Sequence, residues 1–193
     1  MTGCWPMETI RLMTWIDAPV DRCFKLSASI DLHIAAAAST KEKAVDGVKT
    51  GLIGYGETVT WQSRHLRLNL LHRSRVDVWR PYSYFRDVMI HSPFTRFEHE
   101  HFFAPMDDGT RMRDELRFSA PWGSFGHLAA KILVRRYLTT FLMKRNTLIK
   151  QAAESEEWHT YLDAQPEIKQ ASQGDGGQLS RGESMLSYMG KVD

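Results

Sequence analysis

Between Thr110 and Ser119 the chain alternates without interruption. Met112, Asp114, Leu116 and Phe118 fall on one side, and Arg111, Arg113, Glu115 and Arg117 on the other. A period of two marks a strand with one face buried. The same period runs through 95–103, where Phe97, His99, His101 and Phe103 oppose Arg96, Glu98, Glu100 and Phe102. It also runs through 66–78, where Leu66, Leu68, Leu70, His72, Ser74, Val76 and Val78 oppose Arg67, Asn69, Arg73, Arg75 and Asp77. Shorter strand-like runs lie at 7–17, at 57–63 before a break near Arg64-His65, and at 84–90, which carries Phe85, Asp87 and Met89 on one parity. The segments 80–83, 91–94 and 104–109 read as turns, with a positive φ expected at Gly109. Glycines 47, 51, 54 and 56 frame one further short strand within 41–56.

Elsewhere the period is helical. A short helix is predicted over 18–29, with Pro19 in its first turn and Asp17 as its N-cap, and a second over 31–39, capped by Asp31. A long helix is predicted over 124–157, starting from Ser124. Its apolar stripe comprises Leu128, Ile132, Leu138, Phe141, Leu142, Leu148, Ile149 and Ala152. Lys131, Arg135, Arg136, Lys144 and Arg145 are assigned to its wet side. A sheet with one apolar face and a single long amphipathic helix have one economical arrangement, in which the sheet curves around the helix. The expected class is therefore α+β: a curved antiparallel sheet of about six to seven strands, a long C-terminal helix, and two short helices after the first strand. This domain is placed at 8–160. An extension, 1–7, precedes it, and a tail, 161–193, follows. From Ala164 the tail is rich in Gln, Gly and Ser and is expected to be flexible.

Composition narrows the options. The chain has 193 residues, 42% hydrophobic and 25% charged, which suits one soluble globular domain. A formal net charge of +2 gives no ground for a nucleic-acid partner. The two cysteines, Cys4 and Cys23, form no disulfide framework, so a reducing, cytoplasmic location is expected. Cys23 reads as a packed thiol. The first residues lack the pattern of a secretory signal, and Met7 is an alternative start. No apolar run approaches the ~20 residues of a membrane span. Walker, Rossmann and GxSxG motifs are absent, and no cofactor is expected. Trp61, Trp79 and Trp122 read as wall or rim packing. Nothing in the sequence sets an oligomeric state.

The chemistry concentrates in "FEHEHFF" at 97–103. Strand parity turns His99 and His101 inward. The turn at 104–109 brings Asp114 opposite one of them, and the turn at 91–94 brings Asp87 close from the other side. An inward aspartate is costly unless paired, so two carboxylates flanking two imidazoles is the consistent arrangement. Core histidines satisfied by local partners are the plain reading. Glu57, with Val59 and Trp61, is a candidate third inward acid. His65 sits at the strand break, and His72 is expected in the wall.

The element order, together with "GYGETVTW" at 54–61 and His99, His101 and Phe103 as "HxHxF", resembles the START-like superfamily. This is the helix-grip group that includes the major birch pollen allergen, START lipid-transfer domains and polyketide aromatase/cyclases. More narrowly, the chain is similar to bacterial polyketide cyclase/dehydrase-like proteins over about residues 8–155. The resemblance implies a cavity that takes a hydrophobic small molecule. Candidate lining residues are Trp61, Leu66, Leu68, Leu70, His72, Phe85, Met89, Phe97, His99, His101, Phe103, Met112, Asp114, Leu116, Phe118, Leu138, Phe141 and Leu142. Three readings of the polar cluster are open. In order, they are a head-group anchor in a binding cavity, an acid–base pair of a cyclase- or dehydratase-like enzyme with catalytic candidates His99, His101, Asp87, Asp114 and Glu57, and a metal site. The metal reading ranks last because HxH is short and common, and no resident metal is expected.

Overall fold

The computed structural model describes residues 7–65, 68–91, 94–119 and 127–163; for residues 40, 64, 65, 68–70 and 127–131 it describes the backbone alone. The expected N-terminal extension up to Pro6, the tail from Ala164, Ser124, Trp122, Cys4 and Leu66 lie outside the described residues. So do the side chains of Leu68, Leu70, His65 and Leu128.

Among the described residues seven antiparallel strands form one sheet: β1 (Glu8–Ile16), β2 (Lys43–Gly47), β3 (Thr58–His65), β4 (Leu68–Arg80), β5 (Tyr84–His91), β6 (Arg96–Met106) and β7 (Gly109–Ser119). Their order is β1-β7-β6-β5-β4-β3-β2. Consecutive strands pair from β2 to β7, and β1 closes the far edge against β7. The helices α1 (Val20–Ser27) and α2 (Ile30–Ala36) follow β1, α3 (His127–Ala153) follows β7, and a short α4 (Trp158–Leu162) ends the described chain.

On α3 the buried positions are Leu138, Leu142, Arg145, Asn146, Ile149, Ala152 and Ala153. Their spacing is that of one helix face. Two expectations change here. Ile132 is 56% exposed, so among the described side chains of α3 the buried stripe runs from Leu138 onward, and Arg145 is 4% exposed, on the stripe and not on the wet side. The helix also ends at Ala153, short of residue 157.

The main core is built around Phe24 of α1, whose ring meets Trp79, Phe85 and Phe103 edge-on at 4.8, 5.4 and 5.2 Å. Cys23 is fully buried beside it, and burial pushes its thiol pKa up. A smaller core joins Ile10, Leu116 and Phe118 of the sheet to Leu138 and Leu142 of α3.

Three local corrections have simple causes. α1 begins after Pro19, which is itself the N-cap, and the Asp17 amide donates to Glu154 Oε1 at 2.8 Å. α2 is capped by Ser29, whose Oγ accepts from the Leu32 amide at 3.3 Å, while Asp31 accepts from the Gly51 amide at 2.7 Å. In β4 the pairing shifts between Val76 and Val78, so Trp79 turns inward where strict alternation would place Val78. Gly109, at φ 159°, is close to extended. It is needed because a Cβ there would meet the Ile16 carbonyl oxygen at 2.2 Å. Ser29→Ala should cost about 1 kcal/mol of stability through the lost cap, measurable by urea denaturation.

Candidate functional site

The sheet, α1–α2 and α3 enclose a cavity of about 560 Å³. Its wall is mainly apolar. Ile53, Val59, Trp61, Val76, Phe85, Met89, Phe97, Leu116, Leu138, Phe141 and Leu142 contribute to it, together with Phe94, Val134 and Tyr137. Among the residues expected to line it, Phe103, Met112, Phe118 and Asp114 are placed behind the wall. Phe103 is taken up by Phe24, and Met112 lies under α1 with Ser27 Oγ donating to its sulfur at 3.4 Å. Phe118 belongs to the smaller core.

His99, His101, Asp87 and Asp114 come together. The β6–β7 turn is only Asp107-Asp108, which fixes His101 opposite Asp114, and Asp87 of β5 lies opposite His99. A one-residue slip would have turned every one of these side chains to the other face. His99 Nε2 donates to Asp114 Oδ1 at 3.0 Å, and His101 Nε2 is 3.3 Å from Asp87 Oδ2. His101 Nδ1 lies 2.9 Å from Asp114 Oδ1, and the His101 ring stacks on Phe85 at 4.1 Å.

Two residues that the sequence did not single out complete the cluster. Asn146 Nδ2 donates to Asp114 Oδ2 at 2.8 Å, and Arg145 Nη1 is 3.6 Å from Asp114 Oδ1. Arg145 Nη2 also donates to the Ser27 carbonyl at 2.6 Å, tying α3 to α1. The available signal was spacing: Leu138, Leu142, Arg145 and Ile149 are separated by four, three and four residues.

Glu57 is not part of this group. Gly56 adopts φ 76°, and the turn it makes brings Glu57 Oε2 back to accept from the Gly54 amide at 2.8 Å. "GYGE" is thus a self-capping turn that launches β3.

A second polar group lines the same cavity. Glu42 is buried and lies 3.5 Å from His33 Nε2 and 3.7 Å from His72 Nε2, and His33 stacks on Trp61 at 4.2 Å. His72 was expected in the wall; His33 and Glu42 had no flag in sequence, because neither lies in an alternating run.

The electrostatics follow from burial. Desolvation, reinforced by the neighbouring His101, depresses His99 to about 4 despite the opposing pull of Asp114 and Asp87. Burial alone would raise the Asp114 carboxyl, but hydrogen bonds from His101 and His99 and their charges hold it well below the usual carboxylate range. Asp87 is lowered in the same way, its desolvation outweighed by His101 and His99. Burial lowers Arg145, with Asp114 and Asp87 opposing. Tyr137 is pushed up to about 12 by burial and by Glu42. As for metals, one ring nitrogen from each of His99 and His101 and one Asp87 oxygen lie within 4.8 Å of one another.

The architecture can now be matched to known structures. The di-domain ARO/CYC StfQ from the steffimycin biosynthetic pathway superposes with a TM-score of 0.63 at 14% identity, over 78% of this chain and 52% of that one. The chain therefore spans about half the length of StfQ. The Zhui aromatase/cyclase from Streptomyces sp. R1128 gives 0.55 at 16% identity, over 83% of this chain and 100% of that one. TTHA0849 from Thermus thermophilus gives 0.59 at 18% identity, over 77% and 100%. The fold is the helix grip. At these identities the likeness extends to the fold and carries no activity with it. No family model and no curated protein matches the sequence. Among the described residues no helix is long and apolar enough to cross a membrane.

Proposed function

We propose that the protein binds a hydrophobic or amphipathic small molecule, lipid-like or polyketide-like, in the cavity between sheet and α3. The observation that supports this reading is the cavity itself. At about 560 Å³ it is of drug-ligand size, and its wall is mainly apolar, with two clusters of ionisable groups and a few serines. Such a wall gains affinity by taking apolar surface out of water, and its few polar atoms fix orientation. Native mass spectrometry of the protein purified from its own host, followed by solvent extraction, tests this. A bound apolar compound near one per chain is the expected result. Protein that is ligand-free and also fails to take up apolar dyes would contradict it.

A cyclase- or dehydratase-like activity is the second reading. It is favoured by His99 and His101, which line the cavity, each within 3.3 Å of a carboxylate. At about 4, His99 is neutral at pH 7 and only a weak base, so it is the placement of the His–Asp pairs in the cavity wall that favours this reading. His99→Gln and His101→Gln separate the two readings. Loss of ligand affinity without any turnover in wild type supports binding; retained affinity with lost turnover supports catalysis.

A further inference from the structure

Asp114 stands behind both imidazoles, fully buried. Its Oδ1 lies 3.0 Å from His99 Nε2 and 2.9 Å from His101 Nδ1. The second nitrogen of each ring addresses a different carboxylate, and in both cases the same atom. His101 Nε2 is 3.3 Å and His99 Nδ1 3.9 Å from Asp87 Oδ2.

A neutral imidazole has one donor and one acceptor, and a carboxylate only accepts. Each ring therefore sits between two acceptors with one proton to give. If both protons face Asp114, two lone pairs converge on Asp87. If both face Asp87, two lone pairs are pressed on Asp114 at 3.0 and 2.9 Å, with no solvent to relieve them. If His99 gives its proton to Asp114 and His101 gives its own to Asp87, the His101 Nδ1 lone pair still faces Asp114 Oδ1 at 2.9 Å and the His99 Nδ1 lone pair still faces Asp87. The charge count points the same way. Asp87 and Asp114 bring two negative charges and Arg145 one positive, a net charge of −1 that attracts a cation; a divalent ion would take the group to +1, with Asp87, 25% exposed, on the open side. One extra proton on His101 would fill the 3.3 Å contact but would leave the His99 lone pair aimed at Asp87. A cation held by all three atoms fills both gaps.

We propose that His99 Nδ1, His101 Nε2 and Asp87 Oδ2 bind a divalent transition-metal ion such as Zn²⁺ or Fe²⁺, with Asp114 as the outer carboxylate that orients both rings. Tetrahedral bonds of about 2.0–2.1 Å place ligand atoms about 3.4 Å apart. The His101–Asp87 separation of 3.3 Å already has this value, and the His99–Asp87 separation of 3.9 Å closes to it with a small ring or carboxylate rotation. Two imidazoles and one carboxylate suit zinc or iron and not Mg²⁺ or Ca²⁺, which take oxygen ligands. A carboxylate behind a ligating histidine is a recurring outer-shell device, because it fixes the tautomer and the ring orientation; here one carboxylate serves two rings. The three ligands line the cavity and Asp114 does not. The remaining coordination positions thus open toward whatever the cavity holds. This inference concerns the polar wall of the cavity proposed above, but metal binding does not require an apolar ligand to be present.

The test uses the full chain, stripped with a chelator and titrated with Co²⁺ and Zn²⁺, with visible absorption reporting coordination and elemental analysis after dialysis reporting stoichiometry. One ion per chain is expected. Asp87→Asn and His101→Gln should weaken binding by at least about 100-fold and Asp114→Asn by about 10–100-fold. His159→Gln, at an exposed helix-end histidine, should leave it unchanged. Circular dichroism checks that each variant folds. Should the variants unfold, histidine nitrogen NMR of wild type decides: Zn²⁺ should shift His99 Nδ1 and His101 Nε2. No stoichiometric ion in wild type, retained binding in folded Asp87→Asn and His101→Gln, or no shift at those nitrogens would overturn the proposal. Dye uptake by the metal-free protein keeps the two ideas separate. Lost metal binding with intact dye binding defeats only the metal site, and the reverse defeats only the apolar ligand.

Discussion

Asp114→Ala is expected to destabilise the protein by about 3–5 kcal/mol, the range for removing one partner of a buried charge group. The carboxylate accepts from His99 and Asn146, lies 2.9 Å from His101 Nδ1 and faces the Arg145 guanidinium. Its removal leaves the Arg145 cation, 4% exposed, with the more distant Asp87 carboxylate as a counter-charge, and an Asn146 amide that has lost its acceptor. For a domain of this size that corresponds to a fall in Tm of about 10–15 °C. Asp114→Asn retains a side-chain oxygen and should lose less. Thermal melts of both variants at neutral pH check this. A near-wild-type Tm for Asp114→Ala would show that the cluster contributes nothing to holding α3 on the sheet.

The metal-free protein is expected to lose stability as pH falls from about 6.5 to about 4. His99 titrates at about 4 in the folded chain and at its ordinary value of 6.5 when unfolded. Between those values the unfolded state binds the proton and the folded state does not, so stability rises with pH across the window and is fully present above it. The shift corresponds to a loss on the order of 3 kcal/mol by pH 4. Asp114 and Asp87, both depressed, add a further loss below the ordinary carboxylate range as they are forced to protonate. Tm measured against pH for wild type and His99→Gln reads this directly. The variant should flatten the upper part of the profile; superimposable profiles would contradict the buried, neutral His99.

The sheet and its inward cluster were legible because parity is a rigid rule. Once β6 and β7 are joined by two residues, the faces of His101 and Asp114 follow from alternation alone. The same rule failed at Val78, where a bulge shifts the count, and no residue in that run announces one. Caps were misassigned because Asp17, Asp31 and Ser29 all have suitable side chains. The choice is made by tertiary partners, Gly51 for Asp31 and Glu154 for the Asp17 amide. Arg145 was hidden by its charge: next to Lys144 it looked like a solvated surface, and its buried position is explained by tertiary partners, the Asp114 carboxylate and the Ser27 carbonyl. His33 and Glu42 meet His72 from different elements, a contact that no local pattern encodes.

The central claim is that the space between sheet and α3 takes an apolar molecule. Ser74 is buried, faces that space from β4 and carries a small side chain, so a Trp there would project into the cavity. Calorimetric titration of wild type and Ser74→Trp with a naphthalene-type dye tests the claim most directly. Wild type is predicted to bind near one dye per chain, and the filled variant, with an unchanged far-UV spectrum, to bind at least tenfold more weakly, about 1.4 kcal/mol. Equal affinity in the two proteins would place the dye elsewhere and contradict the account.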